Sequence, residues 1–368
     1  MFLRKLSVIG FKNLEQAEVA FTSRLNCFVG SNGAGKTNVV DAVHYLSMCK
    51  SALVMTDAQS VRHGDEFFVL DGEYATDGGK KECVVCSFKK GGGKTLKRNG
   101  KEYDKLSNHM GLIPVVIVSP ADTALVNDAA EERRRWLNSF ISQLDKTYLN
   151  ALIRYNQILG ERNRLLKSFG SGFAAGGEIM DILDMQLAEV GAVVHAKRAE
   201  IVARLIPFVA EYYRILSGDG EQVELTYKSE LTDMGFAELL AAAREKDRIN
   251  QFTTSGVHRD DVKMRIGGYA LRKYGSQGQQ KSFLVALKLA QYAIVAEHAG
   301  EKPILLLDDL FDKLDMQRVE RLIGLVSQEG FGQIFITDCN KVRLENVLDA
   351  SGQDYSLFAV EGGRITQQ

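Results

Sequence analysis

The chain has 368 residues, 45% hydrophobic and 25% charged, with four prolines and a formal net charge of −1. This is a globular profile with room for two or three units of one to two hundred residues. No apolar run approaches the ~20 residues that span a bilayer, and the first residues lack a signal-type apolar core, so no membrane partner and a cytoplasmic location are expected.

Residues 1 to about 125 read as strands around one helix, with strands at 3–11, 18–21, 24–29, 67–74, 82–89 and 114–118. After the third strand comes Gly30-Ser31-Asn32-Gly33-Ala34-Gly35-Lys36-Thr37, which spells G-x-x-x-x-G-K-[ST]. A helix over 36–48 follows, with Val39, Val40, Val43 and Leu46 on its apolar side. Glycines let the backbone wrap phosphates closely, and the free N–H groups at the helix start attract them. This pattern assigns Gly30, Ser31, Asn32, Gly33, Ala34, Gly35, Lys36 and Thr37 to ATP. Lys36 reaches the β/γ-phosphates and serves catalysis, and the Thr37 hydroxyl ligates Mg²⁺.

Five cysteines, an odd number, suggest no disulfide framework. Cys83 and Cys86 form a lone C-x-x-C in a strand-like stretch, where packing is the expected role rather than zinc; Cys27 reads as a small buried hydrophobe. Charge is distributed unevenly. Between Lys80 and Lys105 nine Lys/Arg face three Asp/Glu, and between Glu131 and Lys167 eight face four. The first block alternates like a hairpin and could follow a phosphate backbone without reading bases. The alternative is a solvated, lysine-rich edge strand.

From Ala129 the period becomes helical. Leu137, Ile141, Leu144, Tyr148, Leu152, Tyr155, Leu159 and Leu166 mark one stripe, and a second runs from Ile179 to Tyr212. A glycine-rich turn at 169–177 separates them. Two helices of about 35–40 residues would each extend roughly 55 Å, with a kink expected at Pro207. A short helical arm and a plain three-helix domain both satisfy these stripes. From Glu221 the chain returns to alternating α/β.

Near the far end, Pro303-Ile304-Leu305-Leu306-Leu307-Asp308-Asp309 is an apolar run ending in two carboxylates. It suits a central parallel strand whose C-terminal end faces the ligand crevice. Asp308 is assigned to the metal shell beside Thr37, and Asp309 to polarising the attacking water. Ahead of this strand, Ser276-Gln277-Gly278-Gln279-Gln280-Lys281 opens an amphipathic helix.

That last segment resembles the signature motif of ABC-type ATPases in its SMC form. The resemblance adds Ser276, Gly278 and Gln279 to the nucleotide-binding residues, acting on the γ-phosphate held by a second copy. Segments 8–14 (VIGFKNL), 131–137 (EERRRWL), 155–163 (YNQILGERN), 255–261 (SGVHRDD), 275–281 (GSQGQQK) and 306–310 (LLDDL) resemble the RecF family of bacterial recombination mediators over nearly the whole chain. Three departures stand out. Val257 replaces the usual proline, Thr337 stands where transporter-type members carry a switch histidine, and Ser119-Pro120-Ala121-Asp122 replaces a glutamine-ended strand.

The resemblance implies an α/β fold: an ABC-type (SMC-like) P-loop ATPase head with a β-rich lobe and an inserted α-helical arm. The expected domains are 1–125 (head with phosphate loop and β-rich lobe), 126–220 (helical insertion) and 221–368 (head with signature and Walker B). It implies ATP and Mg²⁺ as cofactors, an ATP-driven homodimer and weak, DNA-dependent ATP hydrolysis that serves as a switch. Implied partners are double-stranded and gapped DNA and RecR with RecO, in loading RecA during repair, replication restart and SOS induction. Asp312 and Asp315 resemble the D-loop. Arg259 and Arg133–Arg135 could contact DNA, nucleotide or partner, or simply pair at the surface. An SMC-like clamp of another maintenance or defence system is the alternative, with a transporter ATPase subunit further off.

Overall fold

The computed structural model describes residues 1–76, 78–169, 177–218, 220–311 and 314–368. The expected turn at 169–177 falls almost wholly outside them, as does Asp312.

In chain order the elements are β1 (Phe2–Phe11), β2 (Leu14–Ala20), β3 (Leu25–Val29), α1 (Lys36–Met48), β4 (Phe67–Ala75), β5 (Lys81–Lys89), β6 (Gly93–Arg98), β7 (Lys101–Glu102) and β8 (Val115–Val118). The middle holds α2 (Ala124–Asn127), α3 (Ala130–Leu144), α4 (Lys146–Phe169), α5 (Gly177–Ser217), β9 (Val223–Lys228), α6 (Phe236–Asn250), β10 (Asp261–Ile266), β11 (Tyr269–Ala270) and α7 (Leu271–Tyr274). Then come α8 (Gln277–Ala299), β12 (Ile304–Asp308), α9 (Met316–Val326), β13 (Ile334–Asp338), α10 (Lys341–Ser351), β14 (Tyr355–Glu361) and β15 (Arg364–Gln367).

The chain forms two compact units, one of residues 1–123, 211–220 and 276–368, the other of 124–210 and 221–275. In the first, a six-stranded sheet has the order β15-β14-β3-β13-β12-β8. Its β14, β3, β13, β12 and β8 are parallel, and β15 adds antiparallel at one edge. Every residue of β3, β12 and β13 is buried, as expected of strands covered on both faces. The second sheet of this unit, β2-β1-β4-β5-β6-β7, is antiparallel throughout. Alternate residues of β4 (Phe68, Leu70, Gly72, Tyr74) are buried, so one face joins the core. A single apolar cluster runs through both sheets and α1; Phe28 stacks on Phe358 at 5.1 Å and on Phe335 at 6.3 Å.

Two expectations about the middle change. The first helical stripe belongs to two helices of 15 and 24 residues instead of one of about 35–40. Asp145 breaks it: its backbone is extended, and its Oδ1 accepts from the N–H groups of Thr147 and Tyr148 at 2.8 and 3.0 Å, capping α4. The second stripe is one helix of 41 residues that continues through Pro207. Residues 221–275, expected in the head, cluster with the helical insertion. The cause is a set of bonds to the insertion: Asp247 of α6 to Arg162 of α4 at 2.6 Å, Asp261 of β10 to Arg133 of α3 at 2.6 Å, and Asp260 to Arg198 of α5 at 2.8 Å. Strand β2 starts at Leu14, earlier than position 18, because Lys12 takes a left-handed φ of 54° and turns the hairpin there.

Candidate functional site

The phosphate loop leaves β3 at Gly30 and enters α1 at Lys36. A Cβ at Gly30 would collide with the carbonyl of Val360 on β14, so only glycine lets the loop pass that strand. Gly35 has φ 118°, and a Cβ there would lie 2.7 Å from Asn13 Oδ1. Asn13 braces the loop from below: its Nδ2 donates to the carbonyls of Gly33 (3.3 Å) and Ala34 (3.1 Å), while its Oδ1 accepts from Asn38 at 2.7 Å. Gly363 N–H donates to the Ala34 carbonyl at 2.8 Å. Sequence reasoning missed both braces; the GFKN turn at 10–13 was visible, though its target was not.

Ser31, Asn32 and Gly33 are exposed, and Lys36 is buried with its Nζ donating to the carbonyls of Gly30 (2.7 Å) and Ser31 (2.9 Å). Helix α1 has no side-chain cap and no acid in its first turn, leaving its N-terminal N–H groups for an anion. A cavity of about 170 Å³ is lined by Asn32, Gly33, Gly35, Lys36, Thr37, Asn38 and Asp309.

Thr37 Oγ1 donates to Asp308 Oδ1 at 2.9 Å, bringing the two residues assigned to the metal together across 271 positions of sequence. Thr337 Oγ1 donates to the same oxygen at 2.7 Å and accepts from the Asp309 N–H at 3.0 Å. Burial pushes the Asp308 carboxyl above its ordinary range, with the hydroxyls of Thr337 and Thr37 pulling the other way. Asp309 sits at a left-handed φ of 46°, and its buried Oδ1 has no hydrogen-bond partner. A hydroxyl touching one carboxylate, with an unsatisfied carboxylate oxygen beside it, is the donor set of a hard divalent cation. The uncapped helix end and Lys36 suit phosphate oxygens.

The signature segment forms a helix cap. Ser276 Oγ accepts from Gln279 N–H at 3.2 Å, and Gln279 Oε1 accepts from Ser276 N–H at 2.6 Å, a reciprocal capping box opening α8. A Cβ at Gly278 would strike Arg318 of α9. Ser276 is exposed, and neither it, Gly278 nor Gln279 lines the phosphate-loop cavity. Asp315 caps α9 through Arg318 N–H at 2.9 Å.

Elsewhere the side chains are more committed than their charge suggested. Asp122 accepts from Ser119 N–H at 2.7 Å and pairs with buried Lys288 at 2.7 Å. Arg133 grips Asp261 at 2.6 Å and two backbone carbonyls. Arg259 lies 5.4 Å over the Phe252 ring. On the basic hairpin, Lys94 pairs with Asp57 at 2.8 Å and Arg98 with Glu82 at 2.5 Å, whereas Lys80, Lys81, Lys89, Lys101 and Lys105 are exposed. Cys86 is buried, which pushes its thiol up to about 12, and Cys83 donates to Asp71 at 3.3 Å. No group of three potential ligands among His, Cys, Asp and Glu stands ready for a metal among the described residues. None of their helices is long and apolar enough to cross a membrane.

Comparison with known proteins accounts for this layout. The family described as RecF/RecN/SMC N terminal domain matches residues 2–364. The chain is 48% identical to the DNA replication and repair protein RecF of Parabacteroides distasonis over 99% of both chains. It is 46% identical to that of Phocaeicola vulgatus over 100% of this chain and 99% of the relative. A solved structure described as the recombination mediator protein RecF-ATP in the RecFOR pathway superposes with a TM-score of 0.89 at 30% identity, covering 100% of this chain and 97% of that one. An Smc head bound to the C-winged helix domain of ScpA shares the fold, with a TM-score of 0.57 at 13% identity and coverage of 100% and 98%. The chain belongs to the RecF family of DNA replication and repair proteins.

Proposed function

We propose that this protein is an ATP-switched DNA clamp of recombinational repair. The observation that carries the reading is the hydroxyl–carboxylate contact between Thr37 and Asp308, with Asp309 lining the phosphate-loop cavity beside them. The relative solved with ATP supports the choice of nucleotide.

In this reading the loop N–H groups and Lys36 cradle the β/γ-phosphates, Lys36 exchanging its bonds to the Gly30 and Ser31 carbonyls for phosphate oxygens. Thr37 and Asp308 would hold Mg²⁺, which would supply charge neutralisation at the phosphates. Asp309 orients the attacking water. Ser276 of a second copy approaches the γ-phosphate; its capping bond uses the oxygen as acceptor, so the hydroxyl proton is available to donate. ATP bound by two copies at once then favours the dimer by mass action, and hydrolysis releases it.

Duplex and gapped DNA are the substrates of the clamp, with exposed lysines of the β5–β6 region as backbone contacts. RecO and RecR are its partners in loading RecA, in keeping with the RecFOR pathway in which the solved relative is placed. ATPase rate per subunit measured against protein concentration, with and without duplex DNA, tests the reading. A rate that rises with concentration and with DNA is expected. A rate per subunit independent of both would overturn it.

A further inference from the structure

Three segments that the nucleotide site does not use, 131–137, 155–163 and 255–261, meet in the second unit. They line a cavity of about 340 Å³ together with parts of α4 and α5. Its polar wall contains Arg134, Arg135, Asn138, Tyr155, Arg198 and His258.

Most of these groups are fixed by bonds to one another or to residues outside the cavity lining. Arg198 is 2% exposed and is held by Asp260 (2.8 Å), the Val257 carbonyl (2.6 Å), Tyr148 (3.2 Å) and Asn138 Oδ1 (2.8 Å). Asn138 Oδ1 also accepts from Tyr148 at 2.7 Å, so its amide nitrogen is the end left to donate. His258 Nε2 and Tyr155 are likewise engaged: the ring nitrogen meets the Thr253 carbonyl at 2.9 Å, and Tyr155 meets Nδ1 at 2.7 Å. Burial lowers the His258 pKa to about 4, so this ring adds no charge at neutral pH.

Arg134 differs. It donates from one Nη to the Asp260 carbonyl at 2.8 Å, and among the described residues no carboxylate lies within 4.0 Å of it. Burial and then the charge of Arg198 push its pKa down, against the opposing pull of Asp261, Glu131 and Asp260 at longer range. Glu131, the acid on the rim, is taken by Arg135 at 3.2 Å. The half-buried Arg134 guanidinium with spare N–H groups and the Asn138 amide donor form a preorganised oxyanion receptor. The volume is at the low end of small-ligand sites.

We propose that this cavity is a second phosphate site, separate from the phosphate loop, that takes a phosphate monoester with Arg134 as its principal contact. The monoester comes either from a free sugar phosphate or from the 5′ end of a nucleic-acid strand. The inference stands apart from the clamp reading, since it needs neither ATP nor a dimer.

The test is calorimetry on the full chain with Mg-ADP saturating the phosphate loop. The probes are ribose 5-phosphate, ribose, and a short oligonucleotide with a 5′-phosphate or a 5′-hydroxyl. Ribose 5-phosphate and the 5′-phosphorylated strand should bind, ribose should not, and Arg134→Ala should weaken binding at least tenfold. Tighter binding of the phosphorylated strand than of ribose 5-phosphate identifies a strand end; equal binding identifies a free monoester. Should Arg134→Ala fold poorly, the exposed Arg135→Ala should weaken binding several-fold in a normally melting protein. No binding of either monoester, or binding that both variants leave intact, overturns the proposal. ATP-dependent association followed on the same samples reports on the clamp separately.

Discussion

Thr337 Oγ1 stands 2.7 Å from Asp308 Oδ1, at a position where the parallel register of β12 and β13 sets the two residues side by side. The same hydroxyl accepts the Asp309 N–H, so one threonine holds the Asp308 carboxylate and the backbone from which the Asp309 carboxylate projects. Thr337→Val keeps the shape and removes both bonds. It should lower turnover by about 10–100-fold, the usual cost of losing a partner that orients a metal ligand, while ATP still binds. Single-turnover hydrolysis beside equilibrium nucleotide binding checks this; an unchanged hydrolysis rate would discard the role.

Lys36 is buried and bonded to its own loop, ready to transfer to phosphate. Lys36→Met should abolish nucleotide-driven dimerisation, followed by light scattering with and without ATP. Dimers that form as before would count against the clamp.

Asp309 has a buried oxygen with nothing to bond. Asp309→Asn keeps the size of the side chain and removes its charge. It should trap ATP and lengthen DNA residence in filter binding, with hydrolysis slowed by about 100-fold, the upper part of what one positioned general base contributes being larger still. Ordinary turnover in that variant would remove Asp309 from its assignment.

In the second unit Arg162 is fully buried and holds Asp184 and Asp247, both at 2.6 Å, plus Thr253 at 2.9 Å. Arg162→Met leaves buried Asp247 with no cation, only its bonds from Thr254, and leaves Asp184 with Arg244 alone. Breaking a buried pair from one side costs about 3–5 kcal/mol, so a large drop in denaturation midpoint is expected. A change below about 1 kcal/mol in chemical denaturation would show that the network relaxes without it.

His44 on α1 is buried and kept neutral, its pKa lowered to about 4 by burial; its Nδ1 donates to the Lys50 carbonyl at 3.1 Å. The unfolded chain takes up this proton near pH 6.5 and the folded one only near 4. Stability contributed by the neutral ring is therefore full above pH 6.5 and falls as pH drops toward 4, by on the order of 3 kcal/mol. His44→Asn should flatten the dependence of melting temperature on pH across that window. An unchanged slope would assign the acid sensitivity to other groups.

Much of the head was legible because its signals are local. Lys36–Met48 has the predicted bounds, and an uninterrupted apolar run can hardly be other than the buried β12. What was not legible is what depends on distant partners. Asp145 looked like one more polar residue in a helical stripe until its carboxylate was seen capping α4. Segment 221–275 has an ordinary α/β pattern, and it is the bonds of Asp247, Asp260 and Asp261 to Arg162, Arg198 and Arg133 that show which unit it joins. Arg133 was one of three adjacent arginines in sequence, yet Asp261, far along the chain, sets it apart from Arg134. Thr337 read as a missing histidine; its actual partners lie on another strand.

Strand β3, which delivers the phosphate loop, pairs with β14 on one side and β13 on the other, and Gly363 bonds the loop itself. All three come from the opposite end of the sequence. A ribosome therefore makes the loop early and its supports late, and nucleotide should protect released full-length chains from protease while leaving stalled chains that end before 355 unprotected. Protection of the stalled chains would refute this. A product truncated before 355 has the fingerprint for nucleotide but lacks the β14 and Gly363 supports of its loop.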